Sequence, residues 1–163
     1  MRSVQLVRVT LILMIIIINI GCDQVTKTIV REKVEPYSTI SLLNDHVTIT
    51  KVENTGAFLS AGNSLTGAKK YFLLSVLPLT ALTLGFIYIL FKQSLSPVMI
   101  GGLCFIIGGG LGNIFDRIAY GSVTDFLHIR VASLQTGIFN MADVSIMTGA
   151  AVLLLHSVFK KRN

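Results

Sequence analysis

Asp23, Asp116, Asp125 and Asp143 each fall at or near the end of a long apolar run. A carboxylate at membrane depth is costly, so each of the four is a functional candidate. Two carboxylates brought close together in dry surroundings cannot both ionise, and one keeps its proton. The ionised partner can then take a proton from water while the protonated partner hydrogen-bonds a scissile carbonyl. This is the aspartic-protease arrangement, and it needs neither a metal nor a covalent intermediate. Spacing alone does not select which two of the four form the pair.

The residues around these acids narrow the chemistry. In "GGGLGNIFDR", Gly108 and Gly112 have the small-xxx-small spacing that lets transmembrane helices approach closely. Helix packing alone would account for them. Asn113 and Arg117 share one helix face, where they can bind a backbone carbonyl or orient a carboxylate; an arginine at the bilayer edge also snorkels toward water. Asp116 is adjacent to Arg117 and cannot face it within the helix. In "FNMADVSIM", Asn140 three residues before Asp143 reads as a helix N-cap with an acid in the first turn. That explains a helix start. It leaves unexplained why Asp125, in "SVTDFLHI", is interleaved with apolar neighbours on a strand, although a solvated loop would also carry it.

The elements that must position these side chains are membrane elements. Of the 163 residues, 52% are hydrophobic, mean hydropathy is +0.73 and only 13% are charged, against about 25% in an average soluble domain. A soluble globule of this size could not cover that much apolar surface. The two cysteines, Cys22 and Cys104, make no disulfide framework, and Cys104 in "GGLCFIIGGG" behaves as a small hydrophobe. His46, His128 and His156 lie far apart, with no HExxH or CxxC, so no metal site and no cofactor are expected.

Four stretches approach the roughly 20 residues a bilayer core requires: residues 7–26, 71–91, 98–118 and 143–159. They make residues 1–163 a single integral membrane domain. The short link between Lys92 and Pro97 makes the second and third spans an antiparallel hairpin, so segments 28–70 and 119–142 share one side. Arg2, Arg8, Lys92, Lys160, Lys161 and Arg162 then fall on the side of the termini, where there is no acid. All eight acids lie on the other side. Orientation follows Lys and Arg density in short flanks, which puts both termini in the cytoplasm. The net charge of +6 is then an inner-leaflet anchor, and no nucleic-acid partner is expected.

The outer segments carry strand signals. "STISLL" and "HVTITKV" alternate polar with apolar or β-branched residues, with Asn44-Asp45 as turn chemistry between them. "VTDFLHIRV" alternates similarly, and Thr136-Gly137 punctuates the return to the membrane. The expected fold is an α-helical membrane protein, with four transmembrane helices and a small cradle-like β-sheet on the extracytoplasmic face.

Five motifs in order resemble those of the lipoprotein signal peptidases (signal peptidase II): Asp23-Gln24-Val25-Thr26-Lys27; Asn54-Thr55-Gly56-Ala57-Phe58; the set Gly108, Gly112, Asn113, Asp116 and Arg117; Val123-Thr124-Asp125-Phe126; and Phe139-Asn140-Met141-Ala142-Asp143. Each is weak alone, but the ordered set is highly specific and spans most of the chain. The resemblance implies a four-span bacterial cytoplasmic-membrane aspartic endopeptidase with its active site at the extracytoplasmic face. Such enzymes cut the signal peptide from a prolipoprotein just before a diacylglyceryl-modified Cys. The resemblance assigns Asp125 and Asp143 as the catalytic dyad. It implies substrate-binding or support roles for Asp23, Lys27, Asn54, Gly56, Gly108, Gly112, Asn113, Asp116, Arg117, Asn140 and Ala142. Membrane lipid and globomycin-type inhibitors are implied as ligands. The chain departs from the pattern at Glu53, where many members carry a basic residue, and in having one Ala after Gly56.

The stretch "IIIINIGCDQVTK" also reads as a signal peptide with a lipobox, because Ile20-Gly21-Cys22 follows an apolar run behind Arg2 and Arg8. Polar Asn19 stands where an apolar residue is usual, and cleavage at Cys22 would sever Asp23 from its helix. Cys22 is therefore expected to stay in the first span. Competing readings are a lipid-anchored binding module, a transporter or proton channel using the buried acids, and a serine–lysine peptidase built from Ser60 with Lys69 or Lys70.

Overall fold

The computed structural model describes residues 2–35, 38–57 and 65–160. Phe58, Ser60, Lys161, Arg162 and the side chain of Arg2 lie outside the described residues. Four helical rods are long and apolar enough to cross a membrane. They carry a four-stranded antiparallel sheet of order β1-β2-β3-β4 at one end.

Helix α1 (Arg2–Lys33) runs for 32 residues, about 48 Å at 1.5 Å per residue, well beyond a hydrocarbon core of about 30 Å. The span expected at 7–26 therefore continues to Lys33. The cause is packing: Val30 and Val34 are buried against Phe126, with Ile49, Leu127 and Met141 around them. The extra turns thus bind the helix to the sheet. At the opposite end Arg8 donates to the carbonyls of Ile89 and Lys92, at 2.7 and 2.8 Å.

The second rod is not one regular helix. Helix α2 (Gly67–Tyr71) passes through a π-helical turn, Phe72–Val76, into α3 (Leu77–Phe91). It starts four residues before the expected Tyr71. Pro78 lacks the N–H that would bond Leu74 and crowds the preceding turn. The wider spacing is taken up by the Leu77 N–H, which donates to Phe72 five residues back. Helix α4 (Pro97–Tyr120) has regular ends. Ser96 caps it by accepting from Met99 N, Pro97 occupies its first turn, and Gly121 terminates it at φ 77°. Helix α5 (Met141–Lys160) completes the bundle.

α4 packs against α1, α3 and α5. Ile12, Ile16, Ile89, Cys104 and Ile107 form the core at the end of the termini. The α1–α4 approach explains the small residues: a Cβ on Gly108 would lie 2.7 Å from Asn19 Cβ, and one on Gly112 would lie 2.6 Å from Asp23 Oδ2.

β1 (Thr39–Leu42), β2 (Val47–Asn54) and β3 (Val123–Val131) match the expected strands, and β4 (Leu134–Gln135) is an addition too short to show as alternation. The turn between β1 and β2 is left-handed at Leu43, Asn44 and Asp45. β2 runs two residues further than the alternation signalled, so Asn54 ends a strand, paired with Val123, with Glu53 opposite Thr124. Past β4 the chain returns along β3: Phe139 N donates to Leu127 O at 2.9 Å, and Leu127 N to Phe139 O at 2.8 Å. This pairing delivers Asn140 beside Asp125.

Candidate active site

The four acids divide into two pairs with different surroundings. Asp23 and Asp116 converge on Lys27, and all three are fully buried. Lys27 Nζ lies 2.7 Å from Asp23 Oδ2, 3.0 Å from Asp116 Oδ2 and 3.0 Å from Asn113 Oδ1. The Asp23 and Asn113 contacts are hydrogen bonds, and the Asp116 contact is an ion pair. Arg31 Nη2 stands 3.0 Å from Asp116 Oδ2 as a charge contact without hydrogen-bond alignment. Its guanidinium lies over the Tyr120 ring at 4.1 Å. Gln24 Nε2 reaches Asp23 and Asp116, at 3.1 and 3.0 Å, and the Gly112 carbonyl at 3.3 Å. Two carboxylates thus face two cations, so the cluster has no net charge. Buried charge is tolerable when paired and hydrogen-bonded in this way. Asp23 Oδ1 also accepts from Ala142 N at 2.9 Å, which ties α1 to the first turn of α5.

Asp125 and Asp143 instead line a cavity of about 330 Å³, together with Asn54, Asn113, Arg117 and Asn140; its remaining wall is mainly apolar, including Leu82 and Ile146. Asn140 contacts both acids. Its Nδ2 donates to Asp125 Oδ1 at 2.6 Å, its Oδ1 accepts from Asp143 N at 3.0 Å, and its own N–H donates to Asp143 Oδ2 at 3.2 Å. The last two bonds form a reciprocal N-terminal cap for α5. The capping account of Asn140 and Asp143 is therefore correct, and the same residues also enter the cavity. Asn54 Nδ2 donates to Asp125 Oδ2 at 2.9 Å, while Asn54 Oδ1 accepts from Gly56 N at 2.9 Å. Asn113 Nδ2 donates to Asp143 Oδ1 at 2.9 Å, so Asn113 links the Lys27 cluster to the cavity. Arg117 Nη2 donates to Gly56 O at 2.9 Å and Nη1 to Asn113 O at 3.4 Å.

The Asp125 carboxyl is pushed up to about 6. Burial is the main cause, and the amides of Asn54 and Asn140 pull against it. The charge of Asp143 adds to the rise, and that of Lys27 opposes it.

Of the residues singled out in the sequence, Asn54, Asn113, Arg117, Asp125, Asn140 and Asp143 line the cavity. Asp23, Lys27, Gly56, Gly108, Gly112, Asp116 and Ala142 stand behind it. Sequence reasoning missed Arg31, and it named Thr124 and Glu53 without the contacts they make. Arg31 Nε donates to Thr124 Oγ1 at 2.8 Å. Glu53 accepts from Ser122 Oγ at 2.6 Å and from Thr124 Oγ1 at 3.0 Å. The signal for Arg31 was present in the chain: Asp23, Lys27 and Arg31 repeat every four residues along one helix face. Among the described residues, no three His, Cys, Asp or Glu side chains gather as a metal site.

Four apolar rods under a small sheet, with acids at their sheet-bearing ends, define a multi-pass membrane protein. Two bacterial membrane enzyme structures solved by the in meso method, at 2.3 and 1.9 Å resolution, have the same fold. The first gives a TM-score of 0.82 at 22% identity over 93% of this chain and 90% of its own. The second gives 0.78 at 24% identity over 90% and 92%. The model of the family described as signal peptidase (SPase) II matches residues 15–159. The lipoprotein signal peptidase of Halothermothrix orenii is 33% identical over 90% of this chain and 94% of its own length. That of Desulforapulum autotrophicum is 34% identical over 99% and 98%, and that of Bacillus subtilis 32% over 87% and 89%. The chain belongs to the signal peptidase II family, and is a membrane aspartic endopeptidase of that type.

Proposed function

We propose that this endopeptidase cleaves the signal peptide from prolipoproteins, on the N-terminal side of a diacylglyceryl-modified cysteine, with Asp125 and Asp143 as the catalytic dyad. The observation that carries the reading is that these two acids line one cavity and are both held by Asn140. The high position of Asp125 favours it as the protonated member at the start of the cycle. Asp143 then takes a proton from water, and the water oxygen attacks the scissile carbonyl carbon. Asp125 gives its proton to the carbonyl oxygen. When the tetrahedral intermediate collapses, the C–N bond breaks, the proton held by Asp143 passes to the leaving nitrogen, and one hydroxyl of the intermediate returns its proton to Asp125 as the new carboxyl group forms. Asn54, Asn113 and Asn140 hold the carboxylates, and Arg117 orients the substrate beside them. The Lys27 cluster keeps α1, α4 and α5 in place. The termini lie in the cytoplasm, where Arg8, Lys92 and Lys160 flank the spans, and the sheet lies outside. Membrane lipid and globomycin-type peptide inhibitors are the expected ligands.

The test is cleavage by the purified protein, in lipid vesicles, of a prolipoprotein with and without its diacylglyceryl group, each with and without EDTA. Cleavage of the modified form alone, unaffected by EDTA, is the expected result. Transport without cleavage would point to an ion pathway instead.

A further inference from the structure

A second cavity, of about 180 Å³, lies behind the first and shares Arg117 with it. Lys70, Tyr71, Ser75 and Gly121 also line it. Ser75 is only 4% exposed. A serine or threonine in a helix ordinarily bonds the carbonyl one turn back, as Thr80 and Thr83 do at 2.9 and 2.8 Å. Ser75 sits in the π-helical turn and makes no side-chain hydrogen bond among the described residues. Arg117 Nε is likewise buried without an acceptor there. The unengaged Ser75 hydroxyl and the side chains of Arg117 and Lys70 therefore line a small space, and none of its described lining residues is a carboxylate.

We infer that this second cavity is a subsite for the mature side of the substrate, and that it takes an acidic side chain in the first few residues after the lipidated cysteine. The inference rests on the peptidase reading above. Chemistry sets the class: a free hydroxyl beside a guanidinium and an ammonium calls for an acceptor carrying negative charge. Placement sets the source. Gly67 opens α2 and Gly121 closes α4, so the cavity lies at the sheet-bearing ends of the spans, where chain leaving the bilayer emerges. The signal-peptide side of a substrate is apolar and remains between lipids. Arg117 forms a wall of both cavities, so a peptide crossing the dyad continues directly into this one.

The test uses the full-length protein in vesicles and two diacylglyceryl peptides that differ only in Glu or Gln two residues after the cysteine. The Glu peptide is expected to have a kcat/KM about tenfold higher, as for one charge-assisted contact, with the difference in KM. Lys70→Glu should invert the ratio, and Ser75→Leu, which fills the cavity without changing charge, should bring it to about one. Lys70 is partly exposed, so its variant keeps the test independent of the folding of Ser75→Leu. A ratio of one in the unmodified protein overturns the inference, as does a ratio that neither variant moves. If the Lys70→Glu effect follows the phosphatidylglycerol content of the vesicles and not the peptide, the cavity holds a lipid phosphate and the inference is overturned. Failure to cleave either peptide overturns the peptidase reading itself.

Discussion

Asn140 donates its side-chain amide to Asp125 at 2.6 Å, across 15 residues of chain that leave the sheet and return to the membrane. The same residue caps α5, whose first turn carries Asp143. The spacing of the two acids is therefore fixed by one rigid junction between β3 and α5.

If the acids act as a unit, Asp125→Asn and Asp143→Asn should each lower cleavage by about 10³-fold or more. The double variant should be hardly worse, since residues that act together are not additive. Cleavage rate beside thermal stability in detergent decides the matter. A folded single variant that keeps a tenth of the activity would remove that acid from the dyad.

The pH profile follows from Asp125. It holds its proton below about 6 and loses it above, so kcat/KM should fall on the alkaline side with a limb near that value. The limb belongs to the coupled pair rather than to one residue. Asn54 donates to the ionised form, so Asn54→Leu should shift the limb upward. A flat profile between pH 5 and 8, or a downward shift in the variant, contradicts the assignment.

Arg117 bridges Gly56 O and Asn113 O with two nitrogens of one planar group. Lysine has the charge but not the fork. Arg117→Lys should therefore lose roughly tenfold or more in cleavage and recover little over Arg117→Ala. Full activity in either variant refutes a role in holding the site.

Lys27 pairs with two buried carboxylates, Asp23 and Asp116. Lys27→Met keeps the volume and leaves both acids unpaired by it, which should cost about 3–5 kcal/mol, read as a lowered melting temperature. Adding Asp116→Asn should restore part of the loss. If the two losses simply add, Lys27 and Asp116 are not coupled.

Glu53 accepts from Ser122 and Thr124, the residues just before Asp125. Glu53→Ala should lower cleavage several-fold by loosening β3. Glu53→Gln should stay near the unmodified level, because the hydroxyls can turn to meet an amide. Equal losses in both would show that charge, not register, is what Glu53 supplies.

The spans were legible because lipid imposes one rule on every exposed side chain, and the strands because alternation survives on a two-faced sheet. The ends of α1 and of the second rod were not legible. Val30 and Val34 extend α1 because Phe126 lies against them, a contact made across nearly a hundred residues of chain. The π-helical turn depends on how Pro78 sits in a rod that local propensity alone would continue. The five motifs named the residues of the site, but spacing could not divide them. Asp116 joins Lys27 and not its neighbour Arg117, because adjacent helical residues point to different sides. Glu53 read as a departure from the pattern, and its contacts with Ser122 and Thr124 are visible only once β2 and β3 are paired.

Ala142 N donates to Asp23 Oδ1, so α1 is held by α5, 119 residues later in the chain. A nascent chain halted before Met141 would lack Asp143, the cap on α5 and this closing bond. It would also leave the Lys27 cluster open on the side that α5 covers. On the proposed dyad, proteolytic capacity therefore arrives only once α5 has joined the other spans, and copies halted before it pose no hazard to neighbouring polypeptides in the same bilayer.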